Sequence, residues 1–411
     1  MSRNSDSDII PHTMSEHRGN LLSGVFLIAG TCMGAGMLAI PLVTGISGFI
    51  PAMMINVLCW LFMMATGLLF LEVTLWMPDG SNVLSMSERF LGRGGKFLGG
   101  LFFLFLYYCL MISYIAGGAP LLSEAVRNFL DLDLSISMGY LAYTAILAAI
   151  VLIGAWFVDR VNWILMTGLI IAFLLLMVFG TSDIDPTLLL HKKWTFSFFA
   201  APVLFSAYGF HNVIPSLSTY LRRNRRQLRM AVILGTTLPF IVYSVWQWLV
   251  IGSVSLDQLQ LAANRGIPVS QILAEEAGTS WVGHIALFFG FFAIVTSLLG
   301  VSLSMVDFLG DGFHIEKRTG WIRLGLVILV FGPPALFAFR NPNIFVEALG
   351  IAGGIGEAFL NGLLPISMVW VGRYHFKLEG RDLVFGGRGI LALLLLFTLL
   401  IMGLECYHLI T

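Results

Sequence analysis

Long apolar segments alternate with short polar ones along almost the whole chain. A run of about 20 apolar residues is long enough to cross a bilayer as an α-helix. The first 19 residues are polar, and the apolar run after them is too long for a cleaved signal. The pattern predicts eleven transmembrane helices, at about 20–44, 48–76, 97–123, 138–157, 162–182, 196–221, 230–252, 281–305, 321–340, 344–372 and 389–409.

Two of these predicted helices, the first and the sixth, are interrupted by small and helix-breaking residues. The first contains GTCMGAG at Gly30 to Gly36, and the sixth contains SAYGFHNVIP at Ser206 to Pro215. A break inside the bilayer leaves backbone N–H and C=O groups without partners, which is tolerated where they line a cavity and bind something. The paired breaks therefore predict a transporter whose substrate site lies between them.

Each broken helix begins a group of five, which divides the chain into two halves. Because the halves start on opposite sides of the membrane, we expect inverted repeats around a site near the midplane. The predicted organisation is an N-terminal tail at 1–19, a first repeat at 20–182, a second repeat at 196–372, and an eleventh helix with the C-terminus at 389–411.

The composition supports this interpretation. The chain is 58% hydrophobic and 11% charged, with a mean hydropathy of +0.89, which excludes a water-soluble domain and indicates an all-α polytopic membrane protein. The formal net charge is zero, so charge gives no argument for a nucleic-acid partner. The four cysteines all fall in apolar segments without a CxxC pair, which favours packing residues over disulfides or a metal site.

The Lys and Arg residues indicate the orientation. With the N-terminus in the cytoplasm, 18 of the 23 fall on the cytoplasmic side, where positive charge collects. We therefore expect a cytoplasmic N-terminus and a periplasmic C-terminus. The run RRNRRQLR at Arg222 to Arg229 is interpreted as a topology anchor rather than a nucleic-acid or lipid patch, and the polar segment at 78–96 predicts a short amphipathic helix on the cytoplasmic face.

The breaks supply groups that suit a zwitterion. Exposed N–H groups at a helix N-terminus in the first break suit a carboxylate, and carbonyls freed in the sixth by Gly209 and Pro215 suit an ammonium group. The alternative is that the glycines only permit close packing or a kink. The candidate substrate-binding residues are Gly30, Thr31, Gly34, Ala35, Gly36, Tyr108, Ser206, Gly209, Phe210 and His211.

Aromatic side chains near the breaks offer surfaces for the substrate side chain. Tyr107, Tyr108 and Tyr114 lie in the third predicted helix and Phe210 in the sixth. We select Tyr108 and Phe210, although aromatic residues are equally ordinary packing material in a chain this rich in them.

Ionisable groups at membrane depth are costly and often functional. His211 is expected to contact substrate or to titrate with a coupling proton, or else to bond a freed carbonyl. Glu357 in the tenth predicted helix is a candidate proton relay, Glu72 is expected to brace the scaffold or an inner gate, and Asp307 is expected to be a gate or helix-end partner.

The motifs resemble one family. GTCMGAGMLAIPL (Gly30 to Leu42) and SAYGFHNVIPS (Ser206 to Ser216) are similar to the helix 1 and helix 6 motifs of the bacterial hydroxy and aromatic amino acid permeases, especially the tyrosine and tryptophan members. Further similar segments are LFLEV at Leu69 to Val73, GRGGKFLGG at Gly92 to Gly100, SYIAGGAPLL at Ser113 to Leu122 and TSLLGVSLSMVDFLGD at Thr296 to Asp311.

This resemblance implies the amino acid, polyamine and organocation superfamily, a LeuT-like 5+5 inverted repeat with one extra C-terminal helix, and cation-coupled uptake across the bacterial inner membrane. It favours tyrosine, then tryptophan or phenylalanine, over serine and threonine. It implies an amino acid and the lipid bilayer as partners, with no cofactor and no obligatory protein partner.

The coupling ion is open between proton and sodium. Some proton-coupled relatives carry a lysine in helix 5, where the corresponding position here is Leu169. Thr296 and Ser297 resemble the hydroxyl pair of a sodium site in related folds, although hydroxyls there serve equally as packing bonds. Proton coupling is preferred on the resemblance, and sodium stays the alternative.

Other classes of function are less compatible with the sequence. The eight histidines are dispersed, and no HxxxH, GxSxG or paired-carboxylate arrangement is present, so we expect no enzyme. A channel fits the membrane class, but paired broken helices favour alternating access. An amino acid sensor built on a transporter scaffold is the remaining alternative.

Overall fold

The computed structural model describes residues 20–277, 281–315, 318–378 and 383–410; the predicted tail at 1–19 lies outside them. In these ranges, ten helices are long and apolar enough to cross a membrane, and a bent pair adds an eleventh. The prediction of an all-helical protein with about eleven spans is confirmed, whereas the inverted-repeat relation between the halves stays a prediction.

The first half of the chain contains six α-helices. In the second half, a π-helical segment at Ala352–Leu363 lies between two of the last α-helices. The helices up to residue 180 are α1 (Leu21–Cys32), α2 (Gly36–Thr44), α3 (Phe49–Trp76), α4 (Val83–Leu130), α5 (Ile136–Ile153) and α6 (Ala155–Phe179). Those that follow are α7 (Ala201–Ala207), α8 (Ile214–Tyr220), α9 (Arg225–Ser253), α10 (Leu256–Arg265), α11 (Val269–Ala277), α12 (Trp281–Gly312), α13 (Gly320–Arg340), α14 (Phe345–Ile351), α15 (Leu364–Tyr374) and α16 (Gly387–Ile410).

Both predicted breaks are present. The first span consists of α1 and α2, whose axes differ by 58° across a short break. The sixth consists of α7 and α8, separated by Tyr208 to Phe210 and one 3₁₀ turn. Pro215 lies in the first turn of α8, where its missing N–H removes no helical hydrogen bond.

Asparagine side chains determine where several helices begin. Asn20 Oδ1 accepts bonds from Leu22 N at 2.6 Å and Ser23 N at 3.2 Å, so α1 begins at Leu21. Asn82 and Ser85 form a capping box at the start of α4, and Asn224 caps α9. Each cap satisfies N–H groups that a helix start otherwise leaves unpaired.

Several predicted boundaries were wrong. The loop expected between the fourth and fifth helices is only Gly154, and Arg160 lies inside α6. The helices α10 and α11, between the seventh and eighth spans, were not predicted because their apolar runs are too short for a span. The π-helical segment was not predicted either.

The short amphipathic helix expected within 78–96 is present. It is the first part of α4, separated from the membrane-spanning part by a kink at Gly92, whose φ of 72° favours glycine. Met86 and Phe90 are buried, whereas Glu88 and Arg89 are exposed, so the helix packs along one face.

The broken spans lie at the centre of the packing. The π-helical segment packs against α7 and α16, α1 packs against α9, and α12 packs against α4 and α6. The two breaks approach each other directly, because a Cβ atom on Gly36 would lie 2.9 Å from Ala207 Cα. Glycine at position 36 therefore permits the backbone contact that joins the two breaks.

Candidate functional site

A cavity of about 440 Å³ lies where the two breaks meet, within the range of roughly 300–1,000 Å³ typical of small-ligand sites. We call it the central cavity. Its lining includes all seven residues from Gly30 to Gly36, together with Phe70, Phe103, Leu106, Tyr107, Leu110, Tyr114, Asn162, Met166, Ser206, Gly209, His211, Asn212, Thr296, Ser297, Ser304, Glu357, Leu360 and Asn361.

The central cavity extends from the breaks towards the side of the membrane on which α1 begins. It reaches Phe26 on α1 and Ser304 on α12, which lie on that side because successive spans alternate in direction. On the other side of the breaks, Trp246, Phe289 and Phe345 are fully buried. The structure is therefore closed by packed aromatic side chains on one side of the site.

Ser297 of α12 holds the first break. Its hydroxyl accepts a bond from Ala35 N at 3.0 Å and donates to Ala293 O at 3.0 Å. Gly34 permits this arrangement, because a Cβ atom there would overlap Ser297 Oγ. Gly34, Ala35 and Gly36 line the central cavity, so the N-terminal, partially positive end of α2 lies at its wall.

Glu357 of the π-helical segment lies against the sixth break. Its side chain is buried, lines the central cavity and accepts a hydrogen bond from the Asn361 side-chain amide. A Cβ atom on Gly209 would overlap Glu357 Oε1. Among the described residues, no Lys or Arg forms an ion pair with Glu357, so its charge is not balanced by the protein.

His211 follows the sixth break and also lines the central cavity. Its Nε2 lies 3.0 Å from Thr66 Oγ1, and the same hydroxyl lies 3.2 Å from the carbonyls of Phe62 and Met63. The tautomer of the imidazole sets whether Nε2 donates to this hydroxyl or accepts from it. In the part of the chain that the structure describes, Nδ1 is buried and has no hydrogen-bond partner.

Of the aromatic candidates, Tyr107 and Tyr114 line the central cavity, whereas the two selected from the sequence do not. The contacts of Tyr108 and Phe210 lie elsewhere, and their role at the substrate stays a prediction. Tyr108 is one position round the helix from Tyr107 and donates to Leu329 O of α13 at 3.0 Å, while the Phe210 ring is fully buried against Gly67 of α3.

Two acidic candidates lie away from the central cavity. Glu72 of α3 forms a buried ion pair with Arg373 of α15 through two contacts of 2.7 Å and accepts Leu383 N at 3.0 Å. Asp307 is exposed near the end of α12 and pairs with Arg318 at 2.6 Å. Glu72 therefore links the spans that contain α3 and α15, and Asp307 is a partner for Arg318 near the end of α12.

The proposed sodium ligands are already hydrogen-bonded. Thr296 Oγ1 donates to Phe292 O at 2.8 Å, and Ser297 Oγ holds the first break. Both line the central cavity. Within the described residues, no group of three or more His, Cys, Asp or Glu side chains is arranged to hold a metal ion.

Sequence reasoning missed two residues at the site. Asn212 lines the central cavity and donates from Nδ2 to Tyr107 Oη at 3.1 Å; its place directly after His211 in the break was the available signal. Tyr243 of α9 contacts both breaks from behind the cavity, and nothing in its local sequence distinguishes it from other buried tyrosines.

Comparison with known proteins places the chain among permeases. The model of the tryptophan/tyrosine permease family matches residues 17–405. The "Tyrosine-specific transport system 2" of Haemophilus influenzae is 32% identical over 94% of this chain and 96% of its own length. The "Tryptophan-specific transport protein" of the same organism is 29% identical over 93% and 94%, and the "Low affinity tryptophan permease" of Escherichia coli K12 is 28% identical over 93% and 94%.

Proposed function

The chain belongs to the tryptophan/tyrosine permease family, a family of membrane transport proteins rather than enzymes, and we propose that it imports tyrosine, with tryptophan or phenylalanine as further substrates, by proton symport with alternating access. The observation that carries this proposal is the central cavity at the meeting of two broken helices, with the buried carboxyl group of Glu357 in its wall.

The backbone at the breaks suits the two ends of an amino acid. The N-terminal end of α2 offers positive potential to the substrate carboxylate. The C-terminal end of α7 offers carbonyls and negative potential to the ammonium group. Gly36 at one end and Ser206 near the other line the central cavity, and the two backbones approach each other at Gly36 and Ala207, so one small zwitterion can reach both ends.

The wall beyond the breaks suits an aromatic side chain. Phe70, Phe103, Leu106 and Leu110 supply apolar surface. The Tyr107 and Asn212 pair adds polar groups to this surface. A largely apolar pocket with a few placed polar groups selects a substrate such as tyrosine, which combines a ring with a hydroxyl.

Glu357 is the proposed site of the coupling proton. An isolated carboxylate enclosed at membrane depth is costly, and binding a proton neutralises it. Because Glu357 lines the central cavity beside Gly209, its proton is exchanged through the same opening that admits substrate. Sodium coupling at Thr296 and Ser297 stays the alternative, because Ser297 Oγ already accepts a bond from Ala35 N, whereas Thr296 Oγ1 only donates, to Phe292 O, and keeps its lone pairs.

The opening of the central cavity on one side supports alternating access. With the N-terminus of α1 in the cytoplasm, the structure is open to the cytoplasm and closed to the periplasm. Transport then requires the breaks to close on the cytoplasmic side while the aromatic packing around Trp246 opens.

The test is uptake of radiolabelled tyrosine, tryptophan, phenylalanine and serine into proteoliposomes under an imposed proton gradient and then a sodium gradient, each with its ionophore control. We expect concentrative aromatic uptake driven by the proton gradient alone. Binding without gradient-driven uptake would instead indicate a sensor, and uptake driven only by sodium would contradict proton coupling.

The role of Glu357 is tested in the same vesicles with Glu357→Gln. We expect loss of proton-driven accumulation with retention of substrate exchange, because the variant cannot gain or lose the proton. Glu405→Gln is the matched control, since Glu405 is a buried carboxyl group on α16 that does not line the central cavity.

A further inference from the structure

Tyr243 contacts the carbonyl groups at the ends of both broken helices. Its hydroxyl oxygen lies 2.6 Å from Cys32 O, the last residue of α1, and 2.9 Å from Ala207 O, the last residue of α7. The side chain is fully buried, and its ring packs edge-on against Tyr208 at 5.1 Å. One side chain of α9 therefore joins the two breaks from behind the central cavity.

These two carbonyls need such a donor. The last carbonyls of a helix have no partner within it and carry the negative end of the helix dipole. Across the described residues, Tyr243 is the hydrogen-bond donor shown for both Cys32 O and Ala207 O. Without the Tyr243 hydroxyl, the negative ends of two helix dipoles would lie next to each other at membrane depth with no hydrogen-bond donor between them. Leaving buried carbonyls unpaired costs free energy.

One phenol can join both helix ends because its single proton is shared between the two carbonyls, at 2.6 Å and 2.9 Å. Removal of the hydroxyl would leave both carbonyls without this donor.

We propose that Tyr243 is a positioning residue, whose hydroxyl ties the ends of α1 and α7 together and so determines how far apart the two breaks lie. The proposal rests on the proposed function only for its transport readout. The ring supplies packing, and the hydroxyl supplies the positioning.

The chain contains two native reporters for this proposal. Cys32 ends α1 at the first break and lines the central cavity, whereas Cys59 of α3 is fully buried and lies outside the cavity lining. In single-cysteine forms reconstituted in nanodiscs, Tyr243→Phe is expected to speed reaction of Cys32 with a small thiol reagent by roughly five- to tenfold, the effect of losing one hydrogen bond. Reaction of Cys59 is expected to stay unchanged.

Tyr140→Phe is the matched control. The Tyr140 hydroxyl is also buried and also approaches two backbone carbonyls, those of Ala116 and Pro342, at 3.4 Å each, but it lies away from the breaks. It should leave both reporters unchanged. Equal reaction rates of Cys32 in Tyr243→Phe and the parent, or a parallel rise at Cys32 and Cys59, would overturn the proposal, the second because it indicates general loosening.

Transport gives an independent readout. In Tyr243→Phe the KM for tyrosine should rise about five- to tenfold while the maximal rate stays within about twofold, because the substrate site is misplaced rather than lost. An unchanged KM would also overturn the proposal. If the parent protein transports no aromatic amino acid, the proposed function is wrong. The positioning role of Tyr243 is then tested by the labelling of Cys32 alone.

Discussion

Gly209 and Glu357 lie in direct contact across the sixth break, and a Cβ atom on Gly209 would overlap Glu357 Oε1. Glycine at position 209 therefore leaves the space that the end of the Glu357 side chain occupies. This contact places a titratable group of the π-helical segment at the point where the sixth span is interrupted.

Gly209→Ala tests this relationship. The added methyl group would displace the Glu357 carboxyl group from its place in the cavity wall, and overpacking of this kind costs about 1–3 kcal/mol. We therefore expect uptake to fall with normal amounts of protein in the membrane. Gly300→Ala is the control, because Gly300 also lines the central cavity and has open space where a Cβ atom would lie. Equal uptake by the two variants would refute the importance of the contact.

Gly34→Ala is expected to impair uptake by a different route. Its methyl group would occupy the position of Ser297 Oγ and break the hydrogen bond that holds Ala35 N. Gly30→Ala should be tolerated, since a Cβ atom there meets nothing within 4 Å. Uptake kinetics of the two variants, normalised to protein in the vesicles, check the difference.

Tyr107→Phe should change substrate preference. Its hydroxyl lines the central cavity with Asn212, so its removal should lower the uptake of tyrosine relative to phenylalanine by roughly threefold to tenfold, the effect of about one hydrogen bond. Tyr108→Phe removes a hydroxyl that bonds Leu329 O instead and should leave the ratio unchanged. Competition between the two labelled substrates measures it, and a shift caused by Tyr108→Phe would contradict the assignment.

Phe210→Ala should act on stability. The ring is fully buried against Gly67 and lies outside the cavity lining, and truncating a buried phenylalanine costs about 3–5 kcal/mol. We expect a lower midpoint of thermal unfolding in detergent, with substrate preference retained by the protein that remains folded. A changed preference at an unchanged midpoint would place the ring at the substrate after all.

Glu72→Ala should also destabilise the protein. It would leave the Arg373 guanidinium buried without the carboxylate that it contacts twice at 2.7 Å, and breaking a buried ion pair costs about 3–5 kcal/mol. Arg373→Met combined with Glu72→Leu should be closer to the parent in thermal unfolding, because neither charge is then stranded. If the double variant lost as much stability as the two single variants together, the two side chains would not be energetically coupled.

The local features of this site could be predicted from the sequence. Gly34, Gly36 and Gly209 were identifiable because a break in an apolar segment is visible in the residues themselves, and hydropathy located the spans that contain them. Neighbouring tyrosines were harder to distinguish. Tyr107 and Tyr108 have the same chemistry, and the rotation of α4 against α12 and α13 decides which of them faces the cavity.

What the sequence determined by itself was the class of the protein, the number of spans and the positions of the two breaks, because each depends on the transfer of a continuous segment from water to lipid. The tertiary structure decided which side chains meet at the breaks. Glu357 reaches Gly209 through a π-helical segment, and Tyr243 reaches Cys32 from 211 residues away. Such contacts depend on how packed helices are rotated and displaced, which no single segment records.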